Sequence, residues 1–224
     1  MNIFDSISLR RPKRNVFDLS HARKLSMKMG KLVPIMVEEV VPGDKFINQS
    51  EVMMRLAPML APVMHPINVW THFFFVPTRL VWDEFKDFIT GGVDGDLAPV
   101  RPYYTMSNTT KAYFDKGSLA DYMGIPIIDQ AVNVVNNVNI SALQFRAYQL
   151  IYNEYYRDQN LQDEVTIPKT SGQQTDYGVL AIKDRCWEKD YFTSCLPWAQ
   201  RGGDVVMPFE PQYKEISELW TYGS

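Results

Sequence analysis

Cysteine is nearly absent from this chain: 2 residues of 224, Cys186 and Cys195. Their spacing is neither a C-x-x-C motif nor a zinc-site spacing, and two cysteines build no disulfide framework. They read as free thiols of a reducing compartment. Histidine is almost as scarce, with His21, His65 and His72 only. No third ligand has a suitable spacing to His65 and His72, so structural histidines are expected rather than a metal site. No long hydrophobic run exists. The most apolar stretch, Val69 to Pro77, is interrupted by Thr71 and His72 and is too short to cross a bilayer. The N-terminus carries charges where a secretory leader would be apolar. A soluble product made in the cytoplasm is expected, with no membrane partner. The sequons at Asn48, Asn108 and Asn139 are then chance matches. Catalytic signatures are missing as well: there is no G-x-S-x-G, H-E-x-x-H, P-loop or G-x-G-x-x-G. No enzyme and no cofactor are expected.

What the chain does have is aromatic residues, 13% of the total, within an otherwise ordinary composition. That suits large packed surfaces, in a core or between molecules. The net charge of −3 hides an asymmetry. Residues 1–31 carry eight basic residues against Asp5 and Asp18, a net +6, so the rest of the chain carries −9. A basic arm on an acidic body fits an arm that meets phosphates while the body does not, and Arg10, Arg11, Lys13 and Arg14 are its candidate contacts. A solvated tail or an arm laid along a neighbouring molecule explains the same charges.

Residues 1–30 show no sustained period and are expected to be extended. From Leu32 to Val41 the chain is apolar and β-branched, and Pro42-Gly43-Asp44 then signals a turn. Glu51 to Leu56 alternates with period two, the mark of a half-buried strand. Pro58, Pro62 and Pro66 forbid a regular strand or helix across them. Ile67 to Val76 is a third expected strand, bulky on both faces and so covered on both. A helix is expected over Leu80–Ile89, with Val81, Phe85, Phe88 and Ile89 on one face and Gly91-Gly92 as its stop. Residues 93–139 are loop-rich, with a short helix near Ser118–Met123 capped by Ser118. Ser141–Arg157 is the clearest helix. Leu143, Ala147, Leu150, Ile151 and Glu154 or Tyr155 form its expected core stripe, beside a row of Tyr148, Tyr152 and Tyr156 that fits packing better than base stacking. Residues 158–180 read as polar loop, and Asp184–Thr193 as one more short helix.

Several blocks, in this order, resemble the major capsid protein of the Microviridae, and most closely its gokushovirus branch. They are Arg11-Pro12, Phe17-Asp18-Leu19-Ser20-His21, Gly30-Lys31-Leu32, Pro42-Gly43-Asp44-Lys45-Phe46 and the methionine and proline block Arg55 to His65. They continue with Phe73 to Trp82, Phe88-Ile89-Thr90-Gly91-Gly92, Leu150 to Asp158, Asp190-Tyr191-Phe192-Thr193 and Leu196-Pro197-Trp198. Each block is weak alone; their collinear order is the signal.

The resemblance implies an eight-stranded jelly roll carrying long loop and helix insertions. It implies assembly with other copies, and with other phage structural proteins, into a T=1 icosahedral virion around circular single-stranded DNA. Residues 1–30 would be the basic arm, 31–77 the early strands, 78–200 an insertion and 201–224 a tail. Family members are considerably longer, so this chain is expected to hold only the early strands, with unpaired edges that need completion. Two other readings stand beside this one: a stand-alone packaging factor that binds single-stranded DNA through the arm, and an enzyme on a jelly-roll scaffold.

Overall fold

A computed structural model describes residues 15–127, 137–186, 188–196 and 198. The chain divides into two units, Met1–Cys186 and Trp187–Ser224. Arg10, Arg11, Lys13 and Arg14, and the tail 201–224, lie outside the described residues.

The core of the first unit lies entirely in its later part. Among the described residues three short α-helices, α1 (Phe85–Thr90), α2 (Leu119–Tyr122) and α3 (Leu143–Ile151), accompany two strands, β1 (Tyr103–Met106) and β2 (Val138–Ser141). The strands pair antiparallel, with Tyr103 opposite Ser141 and Met106 opposite Val138. Residues beside Gly172 lie against the other edge of β1: the Tyr103 N–H donates to Gly172 O, and the Gln174 N–H to Tyr103 O. Tyr104 and Met106 point from β1 into a cluster with Phe114, Leu119, Ala120, Ala142, Phe145, Val179 and Leu180. Burial pushes the Tyr104 hydroxyl up to about 12.

The ends of these helices follow local chemistry. Ser118 caps α2, its Oγ accepting from the Asp121 N–H, as expected. Gly91 ends α1 with φ 79°, a left-handed conformation, and an added Cβ would sit 2.9 Å from Gly95 O. The α1 region is shorter than expected. Thr78–Leu80 forms a 3-10 turn instead, and the α-helix starts only at Phe85. Trp82 intervenes: its ring is buried and its Nε1–H donates to Ser171 Oγ at 2.7 Å, which takes the chain inward between the two turns. Phe88 and Ile89, placed on the expected buried face, are exposed.

In α3 the buried face is also not the expected one. Phe145, Arg146 and Gln149 are fully buried, followed by Tyr152 and Asn153, while Leu143, Ala147, Leu150 and Ile151 are half-buried. The reason is a polar stripe. The Arg146 guanidinium donates to Val81 O at 2.9 Å and Thr170 O at 2.8 Å. Gln149 Nε2 donates to Val179 O and Ala181 O at 2.7 and 2.9 Å. The Asn153 side chain both donates to Val165 O and accepts from the Val165 N–H. Spaced near i, i+3 and i+7, these three side chains give irregular chain around α3 the backbone partners that a sheet would otherwise supply.

The three segments expected as strands, within 32–76, form no ladder among the described residues. They run without regular hydrogen bonding and mostly exposed. A strand needs a neighbour for its backbone groups, and among the described residues only the start, at Leu32, has one, beside Lys183. No helix forms over the described residues of Asp184–Thr193 either. There the Asp190 carboxylate accepts from the Phe192 and Thr193 N–H groups and from Thr193 Oγ1. A side chain that captures the following amides closes a turn where a helix would start. The same bonds hold the Asp190 carboxyl below its ordinary range, the Thr193 amide most of all.

Candidate assembly surface

Between Arg55 and Arg79 there is no Asp, Glu, Lys or Arg. Together with the stretch before it, which carries Glu38, Glu39, Asp44, Lys45, Glu51 and Arg55 among exposed apolar residues, this charge-free segment makes a ribbon from Met36 to Phe75. Along it Val41, Ile47, Met53, Leu60, Met64, Trp70, Phe73 and Phe75 are all exposed, Leu60 and Met53 almost completely. Apolar surface of this length is far beyond the scattered exposed residues of an ordinary protein exterior, and such patches mark contact sites. Among the described residues, the hydrogen bonds within 36–71 are those of the turn Val41–Asp44. Chain without a ladder of its own offers edges for pairing.

Both ends of the ribbon are fastened, and both to the same helix. At its start, the Tyr148 hydroxyl donates to Leu32 O at 2.8 Å and accepts from the Lys183 N–H at 2.9 Å. The Leu32 N–H donates to Lys183 O at 2.9 Å, and the Arg185 N–H to Gly30 O at 2.7 Å, so residues 30–32 lie antiparallel to 183–185. Lys31 and Asp184 add a largely exposed ion pair of 2.8 Å, which contributes little in water. Before this point Arg23 donates to Ile35 O and to Tyr122 O at the end of α2. The Tyr122 hydroxyl in turn donates to Ser26 O at 2.7 Å.

At its far end the ribbon meets an aromatic clasp. His72 Nδ1 and the Tyr156 hydroxyl share a hydrogen bond of 2.7 Å. The Phe74 ring stands edge-on to Tyr155 and Tyr156, with centroids 5.1 and 5.9 Å apart, and His72 stands edge-on to Tyr155 at 5.3 Å. These offset geometries are the favourable ones for aromatic pairs. The clasp exists because Tyr152–Tyr156 is wound as a π-helical turn, closed by the Arg157 N–H on Tyr152 O. The wider turn sets Tyr155 and Tyr156 side by side. His72 and Phe74, two apart on an extended chain, share one face. The other face, with Val69, Phe73 and Phe75, stays open.

The tyrosine row that runs from α3 into the π-helical turn thus serves as anchorage: Tyr148 holds Leu32, Tyr156 holds His72, and the largely buried Tyr152 reaches Gln162. Helical spacing marked the row in the sequence; what it would grip was not marked. His72 is the structural histidine expected of it. Among the described residues no group of three His, Cys, Asp or Glu side chains could hold a metal ion, and no helix is long and apolar enough to cross a membrane.

The fastening is sensitive to alkali. Burial pushes the Tyr148 hydroxyl up to about 12, as it does Tyr104. Each group holds its proton more tightly when folded than when unfolded, where tyrosine ionises near pH 10. Their contribution is complete below about pH 10 and is lost as pH rises through about 12. The denaturation midpoint is expected to fall across that window, and Tyr148→Phe to reduce the fall. A midpoint flat to pH 12 would contradict it.

The comparisons with known proteins agree on one kind of relative. Residues 6–215 match the family described as capsid protein (F protein). The chain is 39% identical over 199 residues to the capsid protein VP1 of Bdellovibrio phage phiMH2K, covering 87% of this chain and 35% of that protein. It is 37% identical over 224 residues to the capsid protein VP1 of Chlamydia phage 1, covering 91% and 36%. For the capsid protein VP1 of Spiroplasma virus 4 the identity is 28%, covering 92% and 39%. The resemblance to microvirus capsid proteins read from the ordered blocks is borne out. The chain spans little more than a third of the length of these relatives.

Proposed function

The chain belongs to the capsid protein (F protein) family of phages, and on that premise we propose that it is a structural protein of a small tailless phage. Its work is assembly with copies of itself into a T=1 icosahedral shell around circular single-stranded DNA. The observation that carries this reading is the ribbon: long, charge-free over Leu56 to Thr78, exposed, and fastened at both ends. Exposed apolar chain on a packed body is costly unless something covers it.

Leu32–Val41, Glu51–Leu56 and Ile67–Val76 are early strands of an eight-stranded jelly roll, and they gain their ladders by pairing with its late strands. The relatives' greater length supports this. The unit around α3 is the large insertion between early and late strands. Light scattering on the purified chain, alone and co-expressed with the remaining length of a relative's polypeptide, tests the reading. Heterogeneous association alone and regular particles on completion are expected. A monomer that unfolds cooperatively by itself would defeat it.

The basic arm lies on the inner surface of the shell, where Arg10, Arg11, Lys13 and Arg14 neutralise phosphates without reading sequence. Replacing all four by alanine is expected to lower the DNA retained per particle and flatten the salt dependence of retention by up to about four counterions. Unchanged DNA content would assign the arm to a neighbouring subunit. The charge asymmetry also favours a second reading, a stand-alone single-stranded DNA-binding factor; it requires salt-sensitive DNA binding by the free monomer, and absence of such binding removes it.

A further inference from the structure

We propose that the proline and methionine loop Pro58–Pro66 is a contact between copies of this chain, with Leu60 and Met64 as its inserted side chains and an apolar surface of a second copy as its partner. The proposal rests on the capsid reading and adds to it which segment crosses between molecules.

The prolines are the first observation. Pro58, Pro62 and Pro66 recur every four residues. Each lacks an N–H and holds φ near −65°, so this stretch cannot become an interior strand of any sheet, including a completed barrel. The flanking segments Glu51–Leu56 and Ile67–Val76 can be covered by pairing strands; this one cannot. Its apolar side chains nevertheless stand out. Leu60 and Met64 are 110% and 84% exposed, with Met59 and Val63 partly so.

Tethering is the second observation. Leu32 is held to α3 by Tyr148 and His72 to the π-helical turn after it by Tyr156, and Leu60 and Met64 lie 12 and 8 residues before His72. Fully extended, Leu60 reaches at most roughly 40 Å from the His72 anchorage and Met64 roughly 28 Å. That lets both side chains stand away from the anchorage while remaining attached. Composition is the third observation. With His65 as the nearest titratable group and no formal charge from Leu56 to Thr78, the loop carries nothing to attract phosphate or an acidic partner. Methionine is unbranched and fits irregular apolar surfaces, and the prolines limit the entropy lost on docking. An apolar partner surface is the match, and the exposed ribbon of a neighbouring copy is one.

The test uses the full chain with p-benzoylphenylalanine at position 60. Unlabelled and nitrogen-15-labelled copies are mixed before association, irradiated and digested. Light–heavy cross-linked pairs from position 60, about half of all pairs for random mixing, are expected. In parallel, Leu60→Asp with Met64→Asp is expected to lower the associated fraction about tenfold, since two carboxylates would be desolvated in the contact, while α3 keeps its hydrogen-exchange protection. Cross-links confined to single copies, or association of the double variant equal to wild type, would overturn the proposal even if regular shells form. Light–heavy pairs from oligomers that never become shells, even when the remaining length of a relative's polypeptide is co-expressed, would uphold the contact and sink the capsid reading. A wild-type chain that stays monomeric, with same-copy links only, would end both.

Discussion

Arg146→Ala is expected to destabilise the first unit by about 3–5 kcal/mol, the largest loss of any single substitution in α3. The side chain is fully buried, and its two bonded carbonyls, Val81 O and Thr170 O, come from segments far apart in sequence. Truncation leaves both acceptors without a donor in a site closed to water, and it leaves a cavity the size of the guanidinium. Burial also pulls the Arg146 pKa down from its ordinary value, with Tyr104 and then Asp83 opposing that pull. Such a group already sits where charge is unfavourable, and its hydrogen bonds are what keep it there. Lysine would not rescue it, because an ammonium lacks the planar fork that spans two carbonyls. Hydrogen exchange is the measurement: the α3 amides and residues 165–181 should exchange at least about a hundredfold faster in the variant. Protection equal to wild type would show that solvent or a neighbour replaces the lost donors.

Trp82→Ala is expected to cost about 3–5 kcal/mol as well, for a different reason. Trp82 is where the ribbon gives way to the packed body. Its ring is 1% exposed and lies tilted against Phe85 and Phe88, with centroids 6.0 and 5.0 Å away. Its Nε1–H ties it to Ser171, whose hydroxyl donates to Glu84. Removing the indole opens a cavity and frees the segment that positions α1. Trp82→Phe should recover most of the packing but not the bond to Ser171, so a loss of roughly 1–2 kcal/mol is expected there. Protease cleavage rates between Val81 and Gly92 read the difference. Equal cleavage of wild type and Trp82→Ala would refute the role.

Much of this was legible from the sequence where one side chain decides the outcome locally. Ser118 as a cap and Gly91 as a helix stop are of that kind, since a hydroxyl or a missing Cβ acts on its own backbone. The presence of α3 was legible for the same reason, as a long periodic segment. Its orientation was not. Counting apolar residues chose Leu143, Ala147, Leu150 and Ile151, whereas the buried face is centred on Arg146, Gln149 and Asn153. Polar side chains enter a core only when loops supply matching carbonyls, and those loops lie tens of residues away. The pairing of β1 with β2 was missed because each strand is only four residues long and the intervening chain is rich in turn signals. The ribbon was legible as strand-like chain, but a strand is a property of two segments, and the sequence names only one.

The two-point fastening of the ribbon has a consequence for how this stretch can change over generations. With Leu32 and His72 both moored to one helix, the cost of closing the loop between them grows only as the logarithm of its length. Doubling it would cost the body about 0.6 kcal/mol. The fold therefore exerts almost no selection on how many residues lie between the moorings, while it selects strongly on Tyr148 and Tyr156 themselves. Insertions and deletions in this interval are nearly neutral for the first unit taken alone. Whatever holds the interval to its present length acts from outside that unit.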